Sequence, residues 1–302
     1  MEINNKKPLV SIIMNCFNGQ NFLKDSIESV KNQTYQNWEL IFWDNRSNDK
    51  SAEIFKSYDE KRFKYFCADK HTTLYEARNL AIEKSNGDFI AFLDTDDLWC
   101  NEKLEMQMDF FSNSEVGLVY SNLWIIKNNI NKRKIYTKKN LARGFIYNDL
   151  IKNYNIGILT VVLRKKFYLK LKKKFDERFS IIGDFDLFLR LSKLCIFESV
   201  QKPLAFYRLH AGNLSAILKE KEIKEHEMWL NENKDDLGAL NFRNIRSKLD
   251  YNKLVNYKID GKYKECFNIL LNRKSNIFNM KNLFILIMPA IILKKFLWFY
   301  QD

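Results

Sequence analysis

The sequence predicts an α/β domain with a mostly parallel sheet flanked by helices, followed by a helical C-terminal extension. Three observations carry this prediction. Compact apolar runs alternate with helix-like segments through the first hundred residues, the pattern of parallel strands joined by right-handed crossovers. Three of those runs stop at polar or acidic turns, near Asn15, Asp44 and Asp94, so their ends should line one crevice at the carboxyl edge of the sheet. Beyond Ile217 the chain turns to Lys- and Glu-rich helical sequence with no clear strand-like run.

Taken in order, residues 9–14 form a β-type run that enters the turn Asn15-Cys16-Phe17-Asn18-Gly19. A helix is expected over 21–32, with Phe22, Ile27 and Val30 on its inner face. A strand over 38–43 runs into Asp44-Asn45-Arg46-Ser47-Asn48-Asp49. A helix over 51–58, a strand over 63–67 and a helix over 73–84 then precede the run 89–93. Those five residues are apolar without alternation, which suits a strand covered on both faces. A helix over 103–111, a strand over 116–126, a polar and basic connection over 128–139, and a strand over 157–163 come next. Residues 182–191 read as a helix, and a strand beginning near Leu204 ends in the polar turn around His210.

At 302 residues and 46% hydrophobic content the chain suits one large domain, or a domain with an appendage, that folds without covalent staples. Its five cysteines are dispersed without CxxC pairing, which argues against a zinc site and for a reduced, intracellular setting; no secretory signal is evident at the start. A formal net charge of +13 points to a polyanionic partner: nucleic acid, anionic lipid or a phosphorylated substrate. Zinc-finger spacing, RRM aromatics and a helix-turn-helix are missing, so nucleic acid is not expected. Seven of the eleven residues 164–174 are basic, forming either a solvated face or a surface for acidic substrate or lipid. Near the end, eleven uncharged residues, 283–293, precede two lysines and an aromatic cluster. That is short of the roughly 20 residues a spanning helix needs. It suits an element lying at a membrane interface, or a last helix packed on protein.

The acidic edge at the end of the run 89–93 is the first candidate site. Asp94, Asp96 and Asp97 repel one another unless a cation or hydrogen-bond donors compensate them, and hard divalent cations prefer such oxygen ligands. The competing reading is a polar turn in which Asp97 or a neighbour caps a helix starting near Asn101. Asp184, at the front of the 182–191 helix, is either a cap that complements the dipole or a functional acid. His210, one of three histidines, is either structural or a ligand at its strand end.

Together these landmarks resemble glycosyltransferase family 2, inverting enzymes that use nucleotide-sugar donors. Residues 10–19 are similar to the family's opening strand and nucleotide-binding turn, and Trp43-Asp44-Asn45-Arg46-Ser47-Asn48-Asp49 to its second acidic segment. Ala77-Arg78-Asn79 matches the helix motif that follows, and Asp94-Thr95-Asp96 the metal-binding Asp-x-Asp. Gly183-Asp184-Phe185-Asp186, continuing to Leu191, is similar to the stretch that carries the catalytic base; Tyr207-Arg208-Leu209-His210, with Asn213 and Ser215, also fits. Gly183 stands where the family usually has Glu, and His71, Thr73 and Ala81 where it often has Asn, Gly and Gly.

The resemblance covers residues 8–215 and implies the Rossmann-like GT-A fold, with a catalytic domain over 1–215 and a helical region over 216–302 containing the segment 283–300. It implies a donor site of Asn15, Phe17, Asn18, Asp44, Arg78, Asp94, Thr95 and Arg208, with Asp44 at the base. It further implies a divalent cation, Mn²⁺ or Mg²⁺, held by Asp96 with Asp94 and His210, and Asp184 as the general base. The expected activity is transfer from a UDP-sugar to a hydroxyl of a lipid-linked or surface-polysaccharide acceptor. The expected place of action is the inner face of the plasma membrane, in peripheral contact with anionic lipid. The alternatives are a sugar-nucleotidyltransferase, for which a Gly-rich basic N-terminal loop is missing, and a non-catalytic protein that binds nucleotide or nucleic acid.

Overall fold

The computed structural model describes residues 7–127, 130–271 and 288. The chain divides into two compact units between Asn213 and Leu214. The first unit opens with β1 (Val10–Cys16), α1 (Leu23–Lys31), β2 (Trp38–Asp44), α2 (Ser51–Lys56), β3 (Phe63–Cys67), α3 (Leu74–Glu83) and β4 (Phe89–Phe92). It continues with β5 (Leu98–Trp99), α4 (Lys103–Met108), β6 (Val116–Ile126), β7 (Arg133–Ile135), α5 (Tyr147–Lys152), β8 (Val162–Arg164), α6 (Lys165–Lys170), α7 (Gly183–Ser192) and β9 (Ile196–Arg208).

All nine strands of the described residues join one sheet in the order β3-β2-β1-β4-β8-β6-β9-β5, with β7 paired to β6. The strands β3, β2, β1 and β4 are mutually parallel, as their helical crossovers require. Beyond β4 the pairing is mixed, because β8 runs antiparallel to both β4 and β6, β9 lies parallel to β6, and β5 returns antiparallel to β9. The long β6 and β9 thereby bring the Arg208 end of β9 alongside the acidic loop that follows β4, a juxtaposition no local pattern announces.

One face of the parallel strands carries Val10, Ile12, Met14, Leu40 and Phe42 into the main core with Leu23, Ile27 and Val30 of α1. Leu23, rather than Phe22, takes the inner position on that helix; Phe22 packs on the His210 ring at 4.9 Å. On the opposite face the buried Glu39 accepts from Ser11 Oγ at 2.6 Å and from the Asn86 amide at 2.6 Å, and pairs with Lys64. Burial alone would raise the Glu39 pKa, but these donors outweigh it and lower it. A buried carboxylate so fully satisfied is structural. Lys103 is also buried, with its ammonium 2.7 Å from Gln107 Oε1 and over the Trp99 ring, and burial holds its pKa well below the ordinary lysine value.

Several expected boundaries shift for identifiable reasons. Within 157–163 the chain first makes a 3-10 turn, Ile158–Thr160, in which the Gly157 carbonyl accepts from both the Thr160 amide and its hydroxyl, and only then enters β8. The connection over 128–139 contains β7, which adds to the end of β6 through the Trp124 and Ile135 pairing. The basic run 164–174 is drawn largely into local structure. The Arg164 guanidinium donates to the carbonyls of Val116, Phe111 and Asn113, Lys165 to Ser85, and Lys174 to the carbonyls of Tyr168, Leu169 and Leu171.

In the second unit the described helices are α8 (Leu214–Ile217), α9 (Lys219–Glu232), α10 (Lys234–Ile259) and α11 (Tyr263–Leu271). Gly238, at φ +68°, interrupts the helical path of α10, a backbone conformation that glycine adopts without a Cβ penalty. No helix of the described residues is long and apolar enough to cross a membrane. The segment 283–300 lies outside the described residues, apart from Met288.

Candidate active site

The carboxyl ends of β1, β2 and β4 converge as the sequence predicts. Asn15 lies opposite Trp43 and Cys16 opposite Asp44, while the Leu93 amide donates to Ile13 O at 3.1 Å and brings the chain beyond β4 alongside β1. The turn after β1 is laced to the turn after β2. Asn18 N donates to Ser47 Oγ at 3.0 Å, Gly19 N to Ser51 Oγ at 2.9 Å, Gln20 N to Asp49 Oδ2 at 3.0 Å, and Asn48 N returns to Asn18 Oδ1 at 2.9 Å. Asn18 takes φ +56° to make these bonds. Gly19 is required by close approach, since a Cβ there would lie 2.7 Å from Thr95 Oγ1. The nucleotide-type turn and the acidic loop therefore touch.

Of the residues on this side, Phe17 is 52% exposed, its ring 4.3 Å from that of His71, whose Nδ1 lies 2.9 Å from Asn45 O. Asp44 is buried, with Oδ1 accepting from Ser47 N at 2.8 Å and Oδ2 from the Tyr65 hydroxyl at 2.7 Å. Each carboxylate oxygen keeps a further lone pair. Asn15 is also buried, and neither its Nδ2 nor the Nε1 of its cross-strand neighbour Trp43 has a hydrogen-bond partner among the described residues.

The three aspartates of the acidic loop have three different partners. Asp94 Oδ1 takes a 2.7 Å charge-assisted bond from the buried Arg78 of α3. Asp96 Oδ2 faces His210 Nε2 at 2.8 Å and Asn213 Nδ2 at 3.4 Å. Asp97 is fully enclosed, and its Oδ1 accepts the Arg208 amide at 2.9 Å. It therefore ties the acidic loop to β9 and does not cap α4, as the polar-turn reading had it. Burial and the Asp94 charge raise the Asp96 pKa against the opposing effect of His210; burial, Asp96 and Asp94 push Asp97 well above the ordinary range. Arg208 serves the same loop, with Nε donating to Asp96 O at 2.9 Å, an ion pair to Asp25 at 3.2 Å, and the guanidinium over the Phe22 ring.

Whether a divalent cation fits here turns on the donor set. Among the described residues no three His, Cys, Asp or Glu side chains gather around one point, so there is no prebuilt protein cage. The Gly212 amide donates to His210 Nδ1 at 3.1 Å, which assigns the imidazole proton to Nε2, facing Asp96. In this arrangement His210 orients Asp96, and ligation through Nε2 would require the other tautomer. The Asp96 carboxylate with substrate oxygens and water fits a Mg²⁺-type site, which needs only one or two protein carboxylates beside phosphates.

Asp184 stands at the start of α7, across α3 from the acidic loop. Its Oδ1 lies 3.2 Å from the Tyr75 hydroxyl and its Oδ2 3.3 Å from the Tyr154 hydroxyl. Burial raises its pKa, and the Arg78 charge opposes the rise. Burial alone would lower the Arg78 pKa, but Asp94, Tyr75 and Asp184 together hold it raised. Arg78 thus couples electrostatically to the acidic loop on one side and to Asp184 on the other.

Asn15, Asp44, Asp94, Asp96 and Arg208 lie at this end of the sheet, with Arg78 on α3 and Asp184 on α7. Tyr75 and Tyr154 were missed. Tyr75 precedes Arg78 by three positions on a predicted helix, so a shared face was the available signal. Tyr154 sits in an irregular segment that offered none.

The model of the family Glycosyl transferase family 2 matches residues 11–185. The UDP-Glc:alpha-D-GlcNAc-diphosphoundecaprenol beta-1,3-glucosyltransferase WfgD of Escherichia coli is 34% identical over 268 residues, 88% of this chain and 98% of that protein. A second Escherichia coli enzyme of the same description, WfaP, is 27% identical over 86% of this chain and 96% of its own length. Among solved structures, S. aureus TarS 1-349 in complex with UDP-GlcNAc superposes with a TM-score of 0.67 at 15% identity, covering 86% of this chain and 79% of that one.

Proposed function

The chain belongs to glycosyltransferase family 2, and on that basis we propose that it transfers a hexosyl group, with inversion, from a UDP-sugar to a hydroxyl of a diphospholipid-linked glycan. UDP-glucose is the first donor to test and a GlcNAc-diphosphopolyprenol the first acceptor, since two relatives covered almost end to end carry that description. The single observation that carries the reading is the convergence of Asp94 and Asp184 on the buried Arg78.

In this reading Phe17 and Asp44 receive the base, and the unfilled Asn15 Nδ2 and Trp43 Nε1 donate to a nucleotide oxygen. Asp96, oriented by His210, and Asp94 would hold Mg²⁺ or Mn²⁺, and the bound cation would supply electrostatic stabilisation of the leaving diphosphate. Arg208 keeps the acidic loop in place through Asp96 O. Asp184 takes the proton from the acceptor hydroxyl as its oxygen bonds to the anomeric carbon, and the bond from that carbon to the diphosphate breaks with its electron pair leaving on UDP. Attack from the face opposite the leaving group inverts the anomeric centre. A lipid-linked acceptor places the reaction at a membrane surface, in peripheral contact with it.

The test is a thermal-shift panel of nucleotide sugars with and without Mn²⁺ or Mg²⁺. A ligand at 100 times its Kd stabilises the native state by about 2.7 kcal/mol, a readily measured rise in Tm. UDP-sugars should raise Tm more with cation than without; no shift with any nucleotide sugar would overturn the assignment. The pH dependence gives a second expectation. The base works only when ionised, so kcat/KM should fall as pH drops through the Asp184 pKa, with that limb displaced upward from the ordinary aspartate range by burial. A limb at or below the ordinary range would contradict it.

A further inference from the structure

Asp184 is approached by two tyrosine hydroxyls with unequal demands on their protons. The Tyr75 hydroxyl has two acceptors in reach, Ile181 O at 2.7 Å and Asp184 Oδ1 at 3.2 Å, but one hydrogen to give. As a donor to Asp184, Tyr75 would lower the Asp184 pKa, but the shorter contact to Ile181 O takes the hydrogen. Tyr75 then presents a lone pair to Oδ1, which is unfavourable towards a carboxylate and favourable towards a carboxyl protonated on Oδ1. In the protonated state the chain from Asp184 through Tyr75 to Ile181 O is complete. Tyr154 differs, because among the described residues its hydroxyl donates only to Asp184 Oδ2, at 3.3 Å, so its proton supports the ionised form.

The position of Tyr75 is enforced. The side chain is 2% exposed and its ring stacks on Phe175 at 5.3 Å. The ring also passes so close to Gly183 that a Cβ there would lie 2.6 Å from three ring carbons. Any other residue at 183 would drive the ring, and with it the hydroxyl, away from Asp184. This gives the glycine before Asp184, where the family usually has an acid, a physical reason: the space belongs to Tyr75.

We propose that Tyr75, seated by Gly183, and Tyr154 are positioning residues that set the proton affinity of Asp184 in opposite senses, Tyr75 favouring the protonated form and Tyr154 the ionised one. The inference rests on the reading of Asp184 as the general base. The other charged group facing Asp184 is Arg78 of α3, which favours the carboxylate; on α7 itself, Asp186 is tied to Arg190 at 2.6 Å. Tyr75 and Tyr154 therefore poise a base that must be ionised before the reaction and protonated after it.

The experiment compares Tyr75→Phe, Tyr154→Phe and Asp184→Asn in the full chain, reading Tm, UDP-sugar KM and the pH profile of kcat/KM. Tyr75→Phe keeps the ring; kcat should fall about 5-fold, the scale of one lost hydrogen bond between neutral groups, with KM unchanged and the acidic limb moved to lower pH. Tyr154→Phe should move the limb to higher pH. A ring that merely fills space would leave the limb where it is, and shifts in the same direction for both variants would also overturn the proposal. Should Tyr75→Phe not fold, Gly183→Ala displaces the same hydroxyl and should move the limb down, an unmoved limb refuting the idea. Near-normal turnover in Asp184→Asn would instead refute the base assignment itself, so the two failures are distinguishable.

Discussion

Asp184→Asn is expected to bind the UDP-sugar as the wild type does and to lose transfer by about 10²-fold or more, the usual scale for removing a general base. Asparagine keeps the shape of the side chain and can still accept from Tyr154, but it cannot take the proton of the acceptor hydroxyl. The fold should tolerate the change. Arg78 retains its 2.7 Å bond to Asp94, so no buried cation is stranded. Because burial raises the Asp184 pKa, the folded state disfavours its ionised form, and a neutral amide removes that cost. Tm at neutral pH should therefore be unchanged or higher while kcat collapses. Residual turnover near the wild-type value would remove Asp184 from the chemistry.

Asp96→Ala is expected to reduce kcat by about 10²–10³-fold, the scale of losing one preorganised electrostatic contact to the charge that develops on a leaving group. It should also raise the cation concentration needed for half-maximal activity. The substitution takes away the partner of His210 Nε2 and a 3.4 Å contact of Asn213 Nδ2, while Asp97 and the Asp96 carbonyl still hold Arg208 to the acidic edge. Stability should suffer little, because the mutual repulsion of Asp94, Asp96 and Asp97 is relieved by the same change. Titrating Mn²⁺ against donor hydrolysis measures the effect. A titration curve identical to the wild type would exclude Asp96 as the anchor. An Asp94→Asn control separates the two carboxylates, since it weakens the Arg78 contact and leaves the His210 pair in place.

The relation between sequence and structure differs from element to element. The strand over 63–67 and the strand over 116–126 have the expected bounds, since aromatic residues in the first and β-branched and apolar residues in the second favour the extended chain. The turn at 157–160 and the short β7 were not legible. Both are made by pairing with distant backbone, and in a polar or mixed stretch that pairing outweighs local preference. The basic run 164–174 illustrates the same point with charge. As sequence it could be a solvated face or a lipid surface, while in the fold Arg164, Lys165 and Lys174 satisfy carbonyls of neighbouring turns.

The sequence alone determined the parallel half of the sheet, the placing of Asn15, Asp44 and Asp94 at its carboxyl edge, and the identity of the acids, because alternation and side-chain chemistry are local properties. Only the tertiary structure decided what each acid does: Asp97 binds the Arg208 amide from 111 positions away, Asp96 meets His210, and Asp184 lies between Tyr75 and Tyr154. Three aspartates within four residues are chemically alike as sequence. Their roles separate because burial and partner, which set proton affinity and access, come from strands and helices brought together across the fold.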